Sequence, residues 1–182
     1  MKKLIIVLIL ATVIATGTAF ANHPKGFGIG VVGFYPGGGG LSLKIPNVPI
    51  FWAINMGFGS TKNQWWGEES WFSLNLTGDY YFIDDHLGGP VHWFLGLGGY
   101  LGLYSHSGKN NNDSWTWTDM ILGARIPIGI SIQPVKLLEI FLDIAPCFGI
   151  GFYGDNKYNY GAGSSVGNYW AFPIELGIRL WF

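Results

Sequence analysis

Cysteine is nearly absent from this chain: Cys147 stands alone among 182 residues, so no internal disulfide can staple the fold. Charge is also scarce, at 12% Asp, Glu, Lys and Arg with a formal net charge of −1. No basic run or patch occurs, which argues against a nucleic-acid partner. His23, His86 and His92 are too scattered for a metal site, and no cofactor is expected. Beyond residue 21 no stretch reaches the roughly 18 apolar residues of a membrane-crossing helix. What is plentiful is glycine, 29 residues, and aromatic side chains, 17% of the chain. High hydrophobicity without a helical span leaves a soluble β-sandwich or barrel, or a membrane barrel with an apolar outer face and a polar or small inner face.

The N-terminus reads as an export signal. Lys2 and Lys3 precede the apolar run Leu4 to Ile14, and Ala19-Phe20-Ala21 has the small-x-small form of a cleavage site. The run is too short to span a membrane as a helix. Cleavage after Ala21, set by Ala19 and Ala21, is expected to divide the chain into a signal peptide, 1–21, and a barrel domain, 22–182.

Alternation favours the membrane barrel. In the last segment Trp170, Phe172, Ile174, Leu176, Ile178, Leu180 and Phe182 share one face, while Tyr169, Ala171, Pro173, Glu175, Gly177, Arg179 and Trp181 share the other. Side chains alternate with period two in a strand. So long a strand suits a tilted membrane crossing, which needs roughly 9 to 11 residues in hydrocarbon. The same pattern recurs upstream over 138–152, 119–132, 91–103, 72–82 and 50–58, and more weakly over 41–45 and 27–31. The expected fold is therefore all-β: an eight-stranded antiparallel up-and-down transmembrane β-barrel. Connections 46–49, 84–90 and 133–137 are short. Connections 60–69, 105–115 and 154–168 are longer and polar, as outer loops are, and only the first outer connection, 36–40, is brief. Aromatic residues near the strand ends, Trp52, Tyr80, Phe82, Trp93 and Phe182 at one end and Phe58, Trp71, Phe72, Phe152 and Trp170 at the other, suggest two interfacial girdles.

The terminal residues Glu175-Leu176-Gly177-Ile178-Arg179-Leu180-Trp181-Phe182 resemble the C-terminal signal read by the barrel-assembly machinery, with Glu175, Gly177, Leu180 and Phe182 matching its pattern. In size and strand number the whole chain resembles the OmpA/OmpX-type small outer-membrane barrels. That resemblance implies a monomeric, multi-pass protein of the bacterial outer membrane, in contact with its lipid. It implies no catalytic residue, and no peptidoglycan-binding domain is expected after the last strand.

Eight strands enclose a lumen that side chains can just fill. The inward positions include Lys44, Asp79, Arg125, Glu139, Asp143, Glu175 and Arg179. They are expected to form one buried ionic cluster, with Arg125 near Asp143 and Arg179 near Asp143 or Glu139, because unpaired buried charge is costly. Inward glycines leave space that Phe51, Phe94, Tyr100, Phe141 and Tyr153 fill; a narrow apolar pocket is the alternative. Pro127, Pro146 and Pro173 fall inside strands and mark bulges or, alternatively, lateral openings for lipid.

These residues favour a non-enzymatic, structural or surface-interacting barrel with a side-chain-filled lumen. A narrow channel or carrier for small or apolar solutes comes second, and a lipid-modifying enzyme third. The enzyme reading rests on Ser105-His106-Ser107, with Asp113 and Asp119 nearby. This resembles the Ser/His sites of lipid A deacylases only superficially, since Gly108-Lys109-Asn110 does not continue their pattern and adjacent Ser and His rarely adopt triad geometry. The tryptophans and tyrosines of 60–69, 105–115 and 154–168 are candidates for contact with an external ligand.

Overall fold

The computed structural model describes residues 24, 26–35, 38–63, 67–109, 114–154 and 165–182. The expected signal peptide lies outside them. Eleven strands follow in order: β1 (Gly28–Tyr35), β2 (Gly38–Lys44), β3 (Phe51–Asn63), β4 (Gly67–Gly88), β5 (Val91–Lys109), β6 (Ser114–Arg125), β7 (Ile128–Val135), β8 (Leu138–Ile144), β9 (Cys147–Tyr153), β10 (Ser165–Ala171) and β11 (Ile174–Trp181). All pairings are antiparallel, and they close a ring in which β1 lies beside β11 and β5 beside both β6 and β7. The pairs β7–β6, β8–β9 and β10–β11 are each one strand interrupted at a proline, so the ring has eight positions. Outward side chains such as Leu122, Ile130, Leu142, Ile150, Leu176 and Ile178 are exposed and apolar, as a lipid-facing band requires. The seam is completed by Phe27 and Phe182, whose backbones exchange two hydrogen bonds of 2.9 and 2.7 Å.

The prolines do not create bulges. Partner numbering continues unshifted from Arg125↔Cys147 to Ile128↔Ile144, and from Ala171↔Cys147 to Ile174↔Ile144. Each proline sits opposite one residue and keeps one of the two bonds of that pair through its carbonyl: Gly96 N–H to Pro127 O (2.8 Å), Ile126 N–H to Pro146 O (2.9 Å) and Ala145 N–H to Pro173 O (2.9 Å). Only the bond that the missing proline N–H would donate is lost. At Ala145 the loss is repaired, because the Cys147 thiol donates to the Ala145 carbonyl at 3.1 Å.

The connections depart from expectation. Residues 84–90 are not a loop: β4 runs to Gly88, and a tight turn at Gly89 and Pro90 follows. Gly89 has φ +58°, a left-handed conformation that glycine adopts without steric cost. On the other rim, strand pairing continues up to Asn63↔Gly67 and Lys109↔Ser114. Much of 60–69 and 105–115 is therefore hairpin, because the ladder can extend above the membrane wherever both partners continue it. The central parts, 64–66 and 110–113, and 155–164 of the third connection, lie outside the described residues. The rim is uneven as a result: β4 has 22 residues and β5 has 19, whereas β1 has 8 and β2 has 7. At the tall rim Lys62 pairs with Glu68; that hydrogen bond and charge raise the lysine pKa and lower the glutamate pKa.

Candidate functional site

The lumen has two halves. The half nearer the chain termini, periplasmic by the short-turn rule, is filled. Phe51 stacks on Tyr81 (centroids 4.4 Å apart), Tyr81 on Phe94 (4.5 Å), and Trp181 meets Phe51 edge-on at 6.3 Å. The Arg179 guanidinium lies 4.8 Å from the Phe51 ring and 4.6 Å from Phe141, both cation–π distances. It also donates to Glu139 Oε2 at 2.7 Å and to Ser42 Oγ at 2.9 and 3.2 Å, while Trp181 Nε1 donates to the same Glu139 oxygen at 2.8 Å. Gly177 makes room for this layer: a Cβ there would lie 2.2 Å from Phe141 Cζ.

Above it is a second charged layer. Arg125 makes a bidentate pair with Glu175 at 2.8 and 2.9 Å, the fork geometry that guanidinium and carboxylate favour. Its Nε stands 3.1 Å from Asp79 Oδ1, and Nη2 stands 3.9 Å from Asp143 Oδ1. Gly98 lies between Asp79 and Arg125 in the sheet, and a Cβ there would sit 1.9 Å from Asp79 Oδ1. The bare backbone lets the two charges meet across it.

Six of the seven inward charges thus form two groups rather than one cluster: Arg125 with Asp79, Asp143 and Glu175, and Arg179 with Glu139. Lys44 leaves the carboxylates altogether; its ammonium donates to the carbonyls of Val48 (2.5 Å) and Ile45 (3.1 Å) at the periplasmic turn. Position along the strand decides this, since Lys44 is the last residue of β2. Asp84, fully buried, was not expected inside. A bulge between Tyr81 and Ile83 shifts the alternation by one residue, so that after inward Tyr81 the next inward side chain is Asp84.

The outer half is not filled, which corrects the expectation of a lumen packed throughout. A cavity of about 290 Å³ stands there, with Arg125, Glu175 and Pro173 at its base and Trp71, Tyr104, His106, Asp119 and Tyr169 among its walls. Trp71 belongs to this wall and not to the outer girdle, because it has the same parity as inward Ser73 and Asn75 on β4. The Tyr100 hydroxyl donates to Asn75 Oδ1 at 2.8 Å and contacts the Tyr104 hydroxyl; Tyr100 and Tyr169 stack at 5.9 Å. His106 stacks on Trp117 at 5.0 Å. Asn55 Oδ1 and Thr77 Oγ1, on side chains 2% exposed, have no hydrogen-bond partner among the described residues, and both residues line the cavity. Nothing local in the sequence marks this cup, which positions far apart in the chain assemble only when the ring closes.

The serine-histidine segment is also relocated. Ser105, His106 and Ser107 lie within β5, not in a loop. Alternation puts His106 in the cavity wall and both serines on the opposite face, where Ser107 Oγ meets Ser70 Oγ at 2.9 Å. Asp119 lines the cavity and accepts the Gly154 N–H at 2.9 Å; Asp113 lies outside the described residues. In the terminal motif, Glu175 and Gly177 face the lumen while Leu180 and Phe182 face out.

Residues 21–172 match the family described as "Protein of unknown function (DUF3996)". No curated protein matches the sequence. Among solved structures, the chain is similar to a major outer membrane protein from Thermus thermophilus, at 15% identity over 86% of this chain and 98% of that one, with a TM-score of 0.52. It is also similar to Neisserial surface protein A (16% identity, 86% and 94% covered, TM-score 0.43) and to the N-terminal β-barrel domain of Pseudomonas aeruginosa OprF (15%, 85% and 97%, 0.43). The closed ring, the apolar outer band and the fold shared with the Thermus protein make this molecule an eight-stranded antiparallel transmembrane β-barrel.

Proposed function

The chain belongs to the DUF3996 family, and from that footing we propose that it is a non-conducting, non-enzymatic outer-membrane barrel that offers a binding cup to the cell exterior. The observation that carries this is the division of the lumen, with stacked rings and ion pairs closing the periplasmic half and an outward cavity above them. The plug favours this reading over a channel or carrier. The opposite facing of His106 and its two serines favours it over a lipid-modifying enzyme, because a nucleophile and its base must share a face. External partners would meet the rim segments 60–69, 105–115 and 154–168. Glu175, Gly177, Leu180 and Phe182 would be read by the barrel-assembly machinery, and the closed ring would work as a monomer. The test is single-channel recording in planar bilayers. A silent barrel is expected, and a stable open conductance in the wild type would overturn the plug.

A further inference from the structure

The wall of the barrel has a notch beside the cup. The β1–β2 hairpin ends at Tyr35 and Gly38, while β3 continues to Asn63 and β10 begins at Ser165. Among the described residues, β10 pairs only with β9, and β3 beyond Met56 pairs only with β4. Two strands are therefore missing between these edges, which at strand spacing leaves a gap of about 14 Å. The floor of the notch is low. The paired residues Phe27 to Tyr35, at about 3.3 Å each and tilted by roughly 40°, rise about 23 Å, less than the apolar band of about 25 Å. The notch thus reaches down into the outer leaflet.

Its two sides differ in chemistry. Inside, Phe34 and Asn55 on one flank and Tyr169, Ala171 and Pro173 on the other all line the cup. Outside, the lips are apolar and very exposed: Phe58 (83%) on β3, and Val166, Trp170 and Phe172 along the β10 side. No charged residue lies in β10 or between Gly57 and Thr61. Exposed strand edges are ordinarily protected by charge or by cover, and unpaired backbone groups in hydrocarbon are costly. Among the described residues this edge has neither charge nor cover, and the buried Asn55 and Thr77 oxygens in the cup have no partner among them.

From these features together we infer that the cup takes a single-chain amphiphile from the outer leaflet, its polar head hydrogen-bonded in the cup and its acyl chain lying out through the notch. The inference rests on the reading of the outer half as a binding cup and names what fills it. Head groups that donate hydrogen bonds fit Asn55 and Thr77; the aromatic walls formed by Trp71, Tyr104 and Tyr169 suit the glycerol or sugar carbons beside them. A chain leaving sideways meets Phe58, Trp170 and Phe172 instead of water.

Native mass spectrometry with 1-palmitoyl-lysophosphatidylglycerol, set against its chainless head glycerophosphoglycerol, tests this on the folded barrel. One equivalent of the lysolipid is expected to bind at least tenfold more tightly than the chainless head. Ala171→Trp, which fills the cup beside the notch, and Asn55→Leu, which removes a head contact, should each weaken it by about tenfold. A lysolipid carrying a terminal diazirine should crosslink preferentially to Phe58, Trp170 or Phe172. Equal binding of the chainless head would overturn the amphiphile and leave the cup standing, whereas binding of neither would sink both. Crosslinks spread evenly around the barrel would also overturn the inference. Heat-modifiable migration on gels identifies any variant that has failed to fold, and the crosslink pattern of the wild type decides the matter without one.

Discussion

The two halves of this lumen handle buried polarity differently. In the periplasmic half, Arg179 is held between two aromatic rings and shares Glu139 with Trp181. In the outer half, Asn55 and Thr77 are as deeply buried as those charges, yet their oxygens meet no partner among the described residues. Ser131 has a similarly unpartnered hydroxyl, but it does not line the cup. The contrast separates polar groups that the fold uses from polar groups that it leaves available. An eight-stranded ring has room for a filled interior, so the empty outer half follows from side-chain choice and not from barrel diameter.

The sharpest way to break the comparison is at Arg125, which joins the two halves. Arg125→Leu leaves Asp79, Asp143 and Glu175 facing one another without their cation. Removing one partner of a buried ion pair costs about 3–5 kcal/mol, and here three carboxylates lose it at once. Urea titration of barrels refolded in vesicles should show a lower unfolding midpoint, or no folded barrel at all. Next is Phe51→Ala, which removes the ring that touches Tyr81, Trp181 and Arg179. The expected loss is about 3 kcal/mol, with small conductance events in planar bilayers where the wild type is silent. An equally silent variant would mean that the Arg125 layer alone closes the lumen.

Smaller effects test the proline level. Cys147 donates to the carbonyl that Pro173 deprives of its ladder partner. Cys147→Ala should cost about 1 kcal/mol, the net worth of a buried hydrogen bond, while Cys147→Ser, which keeps a donor, should cost less. Equal losses for the two variants would show that the sulfur acts by packing alone.

How much of this was legible beforehand depended on whether the signal was local. Period-two alternation from Trp170 to Phe182 is local, and it placed Glu175 and Arg179 inward together with the strand that carries them. Gly98 looked like one more small inward residue; its role appears only when closure sets Asp79 on one side of it and Arg125 on the other. Asp84 was hidden by a bulge, because one inserted residue reverses the phase on which alternation depends. The brief connection at 36–40 was visible, but its consequence was not. A short hairpin becomes a notch only beside two long neighbours, and β10 is more than 120 residues away in sequence.

The smallest expected effect is the most discriminating. Thr77→Val replaces a hydroxyl that has no partner among the described residues by a methyl group of nearly the same size. Removing a buried donor or acceptor that the fold uses destabilises, whereas removing one that it leaves unsatisfied relieves a desolvation penalty of about 1–3 kcal/mol. The variant should therefore unfold at the wild-type urea concentration or slightly above it, opposite in direction to Arg125→Leu and Phe51→Ala. At the same time it should bind the lysolipid more weakly. Stability kept and binding reduced is the combination expected of a residue held in reserve for a ligand. A clear loss of stability would instead make Thr77 part of the scaffold and erase the difference between the two halves.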